Sequence, residues 1–228
     1  MKNGFVKTAN VVALSTALTR LWTRNDGVPG MALVYGEPGL GKTKATTWWV
    51  AQNEYVVYVR AKALTTPRSM LEALAGELGE DSGHRRATAL YDDCRDNLLN
   101  RKRMVLVDEV DYLLHDPRLV ETLRDLHDDT GAPVVLIGMA GIDKRLARYK
   151  PLHDRLSEMV PFKELSVADV RLIAEQLCDI KLTPDACQAL HDRARRFRQV
   201  VMSLYKIEHL ARANSLKEVS AEQIKGLK

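Results

Sequence analysis

Gly36-Glu37-Pro38-Gly39-Leu40-Gly41-Lys42-Thr43 spells the pattern G-x-x-x-x-G-K-T, and this stretch decides the predicted fold. The apolar run Met31–Tyr35 precedes it and a helix is predicted from Thr43 onward, so the stretch joins a strand to the N-terminus of a helix. Glycines in such a loop let successive backbone N–H groups turn inward around a phosphate. We expect Lys42 to reach the β- and γ-phosphates and the Thr43 hydroxyl to be a ligand of Mg²⁺. The stretch, together with Lys44, therefore predicts a binding site for ATP and Mg²⁺.

An acidic pair downstream completes the predicted site. Met104-Val105-Leu106-Val107 is a continuous apolar run, which is typical of a central parallel strand that is buried on both faces. Asp108 and Glu109 follow at its carboxyl end. We expect Asp108 to hold the Mg²⁺ shell through water and Glu109 to polarise the attacking water. A carboxylate beside the metal-binding one indicates hydrolysis, so the sequence predicts an ATPase.

Predicted strands and helices alternate along the chain. The helices are predicted near residues 10–24, 71–78, 90–98 and 119–126, and the strands at Met31–Tyr35, Tyr55–Val59, Met104–Val107, Pro133–Gly138 and Met159–Leu165, followed by an all-helical tail. Strands separated by helices imply right-handed crossovers and a parallel sheet. The strand between the glycine-rich loop and the acidic pair is typical of the additional-strand branch of phosphate-loop ATPases. The predicted fold class is α/β, with a parallel five-stranded sheet flanked by helices.

Charge is unevenly distributed along the 228 residues, although the formal net charge is only +4. Residues 108–129 hold eight acidic side chains against two arginines, a balance of −6. Residues 181–228 hold ten basic side chains against five acidic ones, a balance of +5. A basic region favours polyanions, because contacts to phosphates give an affinity that does not depend on base sequence.

Composition sets further expectations about the compartment. A hydrophobic content of 46% and a charged content of 28% are ordinary for a soluble globular protein. The cysteines, Cys94, Cys178 and Cys187, show no C-x-x-C pairing and are expected to be buried, reduced thiols. No apolar segment is long enough to span a bilayer. We therefore expect a cytoplasmic protein without a membrane partner.

These motifs resemble those of the AAA+ ATPases, and the resemblance covers nearly the whole chain. It implies an AAA+ core with an N-terminal helix over residues 1–165 and a small helical lid over residues 166–228. In this family the strand that follows the acidic pair's strand ends in a polar sensor residue. Here Leu136-Ile137-Gly138 leads to Met139, so the expected asparagine or threonine is missing at that position.

The same resemblance implies two roles for arginine. Leu152-His153-Asp154-Arg155-Leu156 looks like the segment that carries the arginine finger, and Arg155 would then complete the site of the neighbouring subunit. The alternatives for the finger are Arg145 and Arg148. The stretch Arg195–Leu204 resembles the sensor-two helix, in which Arg198 matches best in register. The alternatives for that position are Arg195 and Arg196. Such a lid would close on the core with the state of the nucleotide.

Within the AAA+ ATPases the chain resembles the transposition group of phage Mu transposition protein B and TnsC. The features are the glycine-rich loop, the acidic string Asp108-Glu109-Val110-Asp111-Tyr112-Leu113-Leu114, the apolar run Val134–Gly138 and the compact lid. The resemblance implies non-specific binding of double-stranded DNA, a homo-oligomer or helical filament in the ATP state, and recruitment and stimulation of a transposase in a bacterial or phage-infected host cell. Candidate contacts to DNA phosphates are Lys62, Arg68, Arg101, Lys102 and Arg103.

Two other functions remain open. A replicative helicase loader belongs to the same class of ATPase but binds a hexameric helicase and single-stranded DNA. A secretion-associated ATPase of the ExeA group works beside a membrane. The sequence shows neither a hydrophobic anchor nor a peptidoglycan-binding extension, which disfavours the secretion-associated function. The type of DNA and the partner protein distinguish the other two.

Overall fold

Two compact units make up the fold. The computed structural model describes residues 1–25, 27–80, 83 and 85–225 of the 228-residue chain. Contacts group residues 14–36 and 42–161 into a sheet unit, and residues 1–13, 37–41 and those from 162 onward into a helical unit. The division into residues 1–165 and 166–228 stays a prediction, because grouping by contacts does not test which segments fold independently. Residues 226–228 of the predicted lid lie outside the described residues.

Within the described residues, a five-stranded parallel sheet forms the centre of the sheet unit, which confirms the predicted α/β class. The strands lie in the order β2-β3-β4-β1-β5. They are β1 (Met31–Gly36), β2 (Val56–Arg60), β3 (Met104–Asp108), β4 (Val134–Met139) and β5 (Leu156–Pro161). Every residue of β3 is buried, as are nearly all of β1 and β4. The apolar runs are continuous because helices cover both faces of a parallel sheet.

The sheet unit also contains helices, the first of which begins within the helical unit, where its residues 9–13 belong. They are α1 (Ala9–Trp22), α2 (Lys42–Val50), α3 (Pro67–Leu78), α4 (Ala87–Asn100), a 3-10 helix (Val110–His115), α5 (Pro117–Thr130), α6 (Ile142–Leu146) and α7 (Lys150–His153). The start of α3 follows from its sequence: Thr66 and Ser69 cap each other's backbone N–H groups, and Pro67 takes the first position, where an N–H is not needed. In α5, Leu119 and Leu123 are buried one helical turn apart.

Strand register decides which residues share an edge of the sheet. In the parallel register Gly36 lies opposite Met139, and Asp108 lies opposite Arg60 on one side and Ile137 on the other. These residues meet where the strands end, which we call the carboxyl edge. The amino edge is the opposite one, where the strands begin. Ligands of parallel α/β sheets bind outside the carboxyl edge, so the register predicts where the site lies.

The helical unit has its own core. Its elements are α8 (Val167–Leu177), β6 (Lys181–Leu182), α9 (Pro184–Arg193), α10 (Phe197–Ala213), β7 (Glu218–Val219) and α11 (Ala221–Lys225). Val170, Ile173, Leu204 and Ile207 are fully buried in this core. The prediction of an all-helical tail is wrong at β6 and β7, which pair in parallel. Strands of two residues leave no periodicity in a sequence, so the pattern could not show them.

The last strand of the sheet begins and ends earlier than predicted. The predicted strand Met159–Leu165 overlaps β5 only at the last three residues of β5, Met159–Pro161. Beyond β5, Phe162 and Leu165 are buried in the helical unit, where the Leu165 N–H donates to the Arg195 carbonyl at 2.8 Å. One apolar run thus serves two cores, and periodicity along the chain does not separate them.

All three cysteines are buried and unpaired, as the lack of a C-x-x-C pair predicts. The longest helix in the described ranges, α10, has 17 residues. No described helix combines the length and the apolar character needed to cross a bilayer.

Candidate nucleotide-binding site

The glycine-rich loop lies between β1 and α2, as predicted. Gly39 and Gly41 have φ values of 83° and 95°, a left-handed conformation that side chains other than glycine adopt at a cost. Such turns point neighbouring N–H groups toward one centre and make an anion-binding concavity. Lys42 opens α2, and its ammonium donates to the Gly36 carbonyl at 2.6 Å. Of the other predicted loop residues, Leu40 is buried, whereas the exposed ones are Glu37, Pro38 and Lys44.

Asp108 is the buried acceptor of the site, with 2% of its surface exposed. Its Oδ2 accepts hydrogen bonds from the hydroxyls of Thr43 and Tyr58, each at 2.8 Å. Its Oδ1 accepts from the backbone N–H of Glu109, also at 2.8 Å. A hydroxyl and a carboxylate that converge are the oxygen donors that Mg²⁺ prefers, so these residues fit a magnesium ion held together with a nucleotide.

Glu109 is held in an unusual conformation beside Asp108. Its backbone lies in the left-handed region, with φ 58° and ψ 38°, and it is the N-cap residue of the 3-10 helix. A residue other than glycine in that region stores strain, which is common at functional sites. Its carboxylate forms an ion pair with Arg60 at 3.3 Å, and its side chain is 23% exposed. The strain and the ion pair together set the direction in which the second carboxylate points.

The motifs in the sequence do not indicate two further site residues, Tyr58 and Arg60, which both belong to β2. They stand two residues apart, so their side chains share one face of the strand. Tyr58 contacts Asp108, and Arg60 contacts Glu109. Burial, together with the bond to Asp108, raises the pKa of the Tyr58 hydroxyl, so it stays a proton donor. In the sequence, Tyr58 and Arg60 alternate with valines, which indicates that both point to the same face of the strand. Only the strand order shows that this strand lies next to β3.

Asp111, in the same acidic string, organises the end of β4. Its Oδ2 accepts from the Met139 N–H at 2.6 Å, and its Oδ1 lies 3.4 Å from the Arg145 guanidinium. The Met139 side chain is a thioether and cannot donate a hydrogen bond. The polar group at the end of this strand is therefore the Asp111 carboxylate, and Arg145 lies at the carboxyl edge of its own chain.

Arg155 lies at the amino edge. Its carbonyl accepts from the N–H of Met31, the first residue of β1. Its guanidinium makes a two-point ion pair with Asp128, with distances of 3.0 and 2.7 Å, and this contact lowers the pKa of the Asp128 carboxyl. The strand between Met31 and Gly36 is about 17 Å long at about 3.3 Å per residue. An arginine side chain is too short to cover that distance, so Arg155 does not serve the loop of its own chain.

The other candidate for the finger, Arg148, follows α6 and is exposed. Among the residues that the structure describes, it forms no ion pair. Arg145 therefore lies at the carboxyl edge, Arg155 at the amino edge, and Arg148 in the segment between them. The structure brings neither Arg148 nor Arg155 to the Thr43–Asp108 contact.

In the helical unit, the tip of the glycine-rich loop contacts the start of α10. The Arg198 N–H donates to the Gly39 carbonyl at 3.0 Å, and Arg196 pairs with Glu37 at 3.5 Å. Arg195 pairs instead with Glu164 at 3.6 Å. The Arg198 side chain is exposed and forms no ion pair within the described ranges. Of the three arginines considered for sensor two, Arg198 has its backbone on the loop and its guanidinium exposed.

The candidate DNA contacts do not form one patch. Lys62 and Arg68 follow β2 and lie toward the carboxyl edge, and Arg68 pairs with Glu72 at 2.8 Å. Lys62 sits on a turn closed by two hydrogen bonds with Thr65, at 2.9 and 2.7 Å. Leu64, at the tip of this turn, is 91% exposed. The turn therefore presents a basic and an apolar side chain from a fixed backbone.

The three basic residues Arg101, Lys102 and Arg103 precede β3 and so lie at the amino edge. Lys102 is placed over the ring of Trp22 at 4.8 Å, and Trp22 stacks on Tyr55 with ring centres 3.9 Å apart. Trp49 is buried and meets Tyr55 edge-on at 6.2 Å. The length of a strand thus separates the two groups of predicted contacts.

Comparison with known proteins places this geometry in a family. The pattern of the AAA domain family matches residues 25–146, which is more than half of the chain. The chain is 28% identical over 179 residues to the ATP-dependent target DNA activator B of Escherichia phage D108, and equally to that of Escherichia phage Mu. The matches cover 75% of this chain and 55% of each phage protein. They confirm the predicted resemblance to the Mu transposition protein B group, and the chain spans about half the length of these relatives.

Solved structures agree with the fold. The Aeropyrum pernix ORC1 protein in complex with DNA superposes with a TM-score of 0.67, covering 99% of this chain and 65% of that one. The sequence identity is 19%, so the likeness shows the fold alone. By its match over residues 25–146 and its parallel sheet with a glycine-rich loop after β1, the chain belongs to the AAA domain family.

Proposed function

We propose that this protein is an ATPase that binds double-stranded DNA without sequence specificity, assembles on it in the ATP state, and recruits and stimulates a transposase. The observation that carries the ATPase part is the contact at the carboxyl edge, where the Thr43 hydroxyl donates to the buried Asp108 carboxylate at 2.8 Å. The DNA part is supported by the similarity to phage proteins that are named ATP-dependent target DNA activators.

Each group at the carboxyl edge has a part in hydrolysis. The loop N–H groups and Lys42 hold the phosphates. Mg²⁺, held by Thr43 and through water by Asp108, would neutralise charge on the phosphate oxygens. Glu109 orients the attacking water and accepts its proton. Glu109 is paired with Arg60 at 3.3 Å through one of its two carboxylate oxygens, so we expect this ion pair to restrain the carboxylate.

The position of Arg155 supports the proposed assembly. Its guanidinium is at the amino edge, about a strand length from the loop of its own chain. In this proposal it acts on the phosphates of a neighbouring copy, so that each nucleotide lies at a boundary between subunits. Loss of the γ-phosphate then weakens the boundary, so hydrolysis releases the assembly from DNA.

DNA binding in this proposal uses phosphate contacts. Lys62 carries a positive charge on a turn held by Thr65, and Leu64 projects from the same turn. A fixed basic residue beside an exposed apolar one suits the backbone and groove wall of a duplex without reading bases. The group around Lys102 lies at the other edge and contacts DNA only if the duplex passes both edges.

The first experiment compares assembly and hydrolysis with and without duplex DNA of random sequence. Sedimentation and ATPase turnover are measured with ATP and with ADP, at low and high salt. We expect assemblies that need both ATP and duplex DNA and that dissolve as salt rises. Lys42→Ala, which removes the phosphate contact, is the control and should not assemble.

The outcomes separate the alternatives. Assembly on single-stranded DNA with indifference to duplex would contradict the proposal and favour a helicase loader. Turnover that ignores DNA of either kind would remove the DNA part and leave an ATPase with a protein partner, as in the secretion-associated group. Equal nucleotide affinity of wild type and Lys42→Ala would contradict the ATPase part itself.

A further inference from the structure

Tyr58 lies in β2 with its hydroxyl 2.8 Å from Oδ2 of Asp108. We infer that Tyr58 is a positioning residue, which holds the Asp108 carboxylate in the orientation that receives a water of the magnesium shell. The inference rests on the proposed function, since it concerns the same cation. It gives β2 a role in metal binding, in addition to the roles of the glycine-rich loop and the acidic pair.

Tyr58 fills an acceptor position on Asp108 that would otherwise be open. Each oxygen of a carboxylate offers two acceptor positions. On Oδ2 of Asp108 both are taken, by the hydroxyls of Thr43 and Tyr58. On Oδ1 one is taken, by the N–H of Glu109 at 2.8 Å. Among the residues that the structure describes, nothing else donates to Oδ1, so one position remains there and the carboxylate can accept from a single water.

Without the Tyr58 hydroxyl, the Asp108 carboxylate loses its single orientation. Thr43 would then occupy one acceptor position on Oδ2, and the Glu109 N–H one on Oδ1. Each oxygen would keep one open position. A carboxylate with two equivalent open positions can turn between them and can share its acceptors with other water. Tyr58 therefore selects one orientation of Asp108 while Thr43 keeps its hydroxyl oxygen available as a metal ligand.

A buried tyrosine often donates its hydroxyl merely to avoid an unsatisfied group, and this chain contains an internal example. Tyr91 in α4 donates to Asp129 in α5 at 2.7 Å, and neither helix contains the loop or the acidic pair. Both tyrosines are partly buried and both donate to an aspartate. Tyr91→Phe therefore costs the same kind of hydrogen bond as Tyr58→Phe, and it is the matched control.

The test measures how strongly Mg²⁺ increases the affinity for a fluorescent ADP analogue. Affinities are determined in Mg²⁺ and in EDTA for wild type, Tyr58→Phe and Tyr91→Phe. In Tyr58→Phe we expect the increase in affinity caused by Mg²⁺ to be about tenfold smaller than in wild type, because a hydrogen bond to a charged acceptor is lost. The affinity in EDTA should be unchanged. Binding of Mn²⁺ in the presence of ADP, followed by electron paramagnetic resonance, should weaken by the same factor. Tyr91→Phe should match wild type in both readouts.

A double-mutant cycle tests whether Tyr58 acts through Asp108. In an Asp108→Asn background, Tyr58→Phe should cause no further loss, because the positioned carboxylate is already gone. Equal losses in both backgrounds, or the same Mg²⁺ dependence for Tyr58→Phe and wild type, would overturn the inference. If Tyr58→Phe does not fold by circular dichroism, Tyr58→Met takes its place, since its flexible apolar side chain also lacks a donor.

The two proposals fail in different ways. If wild type shows no Mg²⁺-dependent nucleotide binding, the proposed function fails and the inference fails with it. If wild type binds with Mg²⁺ and Tyr58→Phe does the same with unchanged affinity, only the role of Tyr58 is lost.

Discussion

Replacing Arg155 by alanine tests the boundary between subunits most directly. Arg155 lies at the amino edge, where its carbonyl pairs with the start of β1, and its guanidinium makes a two-point contact with Asp128. The variant removes a charge that the proposal assigns to the neighbour's phosphates. We expect it to bind nucleotide normally and to lose hydrolysis in the assembled state.

The expected magnitudes follow from the geometry. The side chains of Arg155 and Asp128 are 36% and 34% exposed, so their ion pair contributes no more than about 1 kcal/mol to the free energy of unfolding. The variant should therefore fold. An arginine that stabilises transferred charge contributes on the order of a thousandfold or more to the rate of phosphoryl transfer. The ATPase rate should therefore fall about a thousandfold or more, while the free energy of unfolding changes by no more than about 1 kcal/mol.

The assay mixes two inactive variants on DNA. Arg155→Ala keeps Glu109 but has no finger, and Glu109→Gln keeps its finger but does not activate water. In a random one-to-one mixture, about a quarter of head-to-tail boundaries combine an intact Glu109 with a neighbour's intact Arg155. Turnover should reappear at about that fraction of wild type. Arg118→Ala, which removes another exposed arginine paired with an aspartate, is the control and should stay active.

Two results would refute this reasoning. Wild-type turnover by assembled Arg155→Ala would show that the guanidinium takes no part in hydrolysis. Co-assembly of the two variants without any rescue would show that Arg155 does not act across the boundary. In either case Arg145→Ala and Arg148→Ala would be tested in the same mixture.

Three further outcomes are expected. Glu109→Gln should give persistent ATP assemblies with little turnover, and pelleting of protein with DNA after ATP is exhausted would detect them; normal turnover would remove Glu109 from the mechanism. Arg60→Ala should raise basal turnover by up to about fivefold, since it breaks a half-exposed ion pair that holds Glu109, and a fall in turnover would contradict this restraint. His127 is buried between the Gly30 N–H and the Ala132 carbonyl, and burial lowers the pKa of its imidazole below the ordinary 6.5. The neutral ring is favoured in the fold, so its contribution to the free energy of unfolding is complete above pH 6.5 and declines as the pH falls from 6.5 toward the lowered value. Urea unfolding at several pH values should show this decrease in the free energy of unfolding for wild type, and the decrease should be absent in His127→Gln.

Much of the site could be predicted because its chemistry is local. The loop from Gly36 to Thr43 needs its glycines and its lysine at fixed spacing, and an apolar run that ends in Asp108 and Glu109 indicates a buried strand that surfaces beside the phosphates. Each of these depends on neighbours in the chain. The same holds for α3, whose start is encoded by the capping residues around Pro67.

Other parts of the site depend on contacts between distant segments. Tyr58 and Arg60 meet the acidic pair about 50 residues away because β2 and β3 are neighbours in the sheet. The predicted last strand ran too far because one apolar run continues from β5 into the core of the helical unit. No period along the chain shows which core an apolar residue joins.

By itself, the sequence determined that this protein has an α/β fold with a phosphate-binding loop and a pair of carboxylates beside it, since those signals lie in contiguous residues. Only the tertiary structure decided that Arg145 and Arg155 lie at opposite edges, that Lys62 and Lys102 do not share a patch, and that a tyrosine of β2 holds Asp108. The physical reason is that edges and cross-strand contacts arise from the order and register of strands. These are chosen by the packing of the whole chain and not by any short stretch of it.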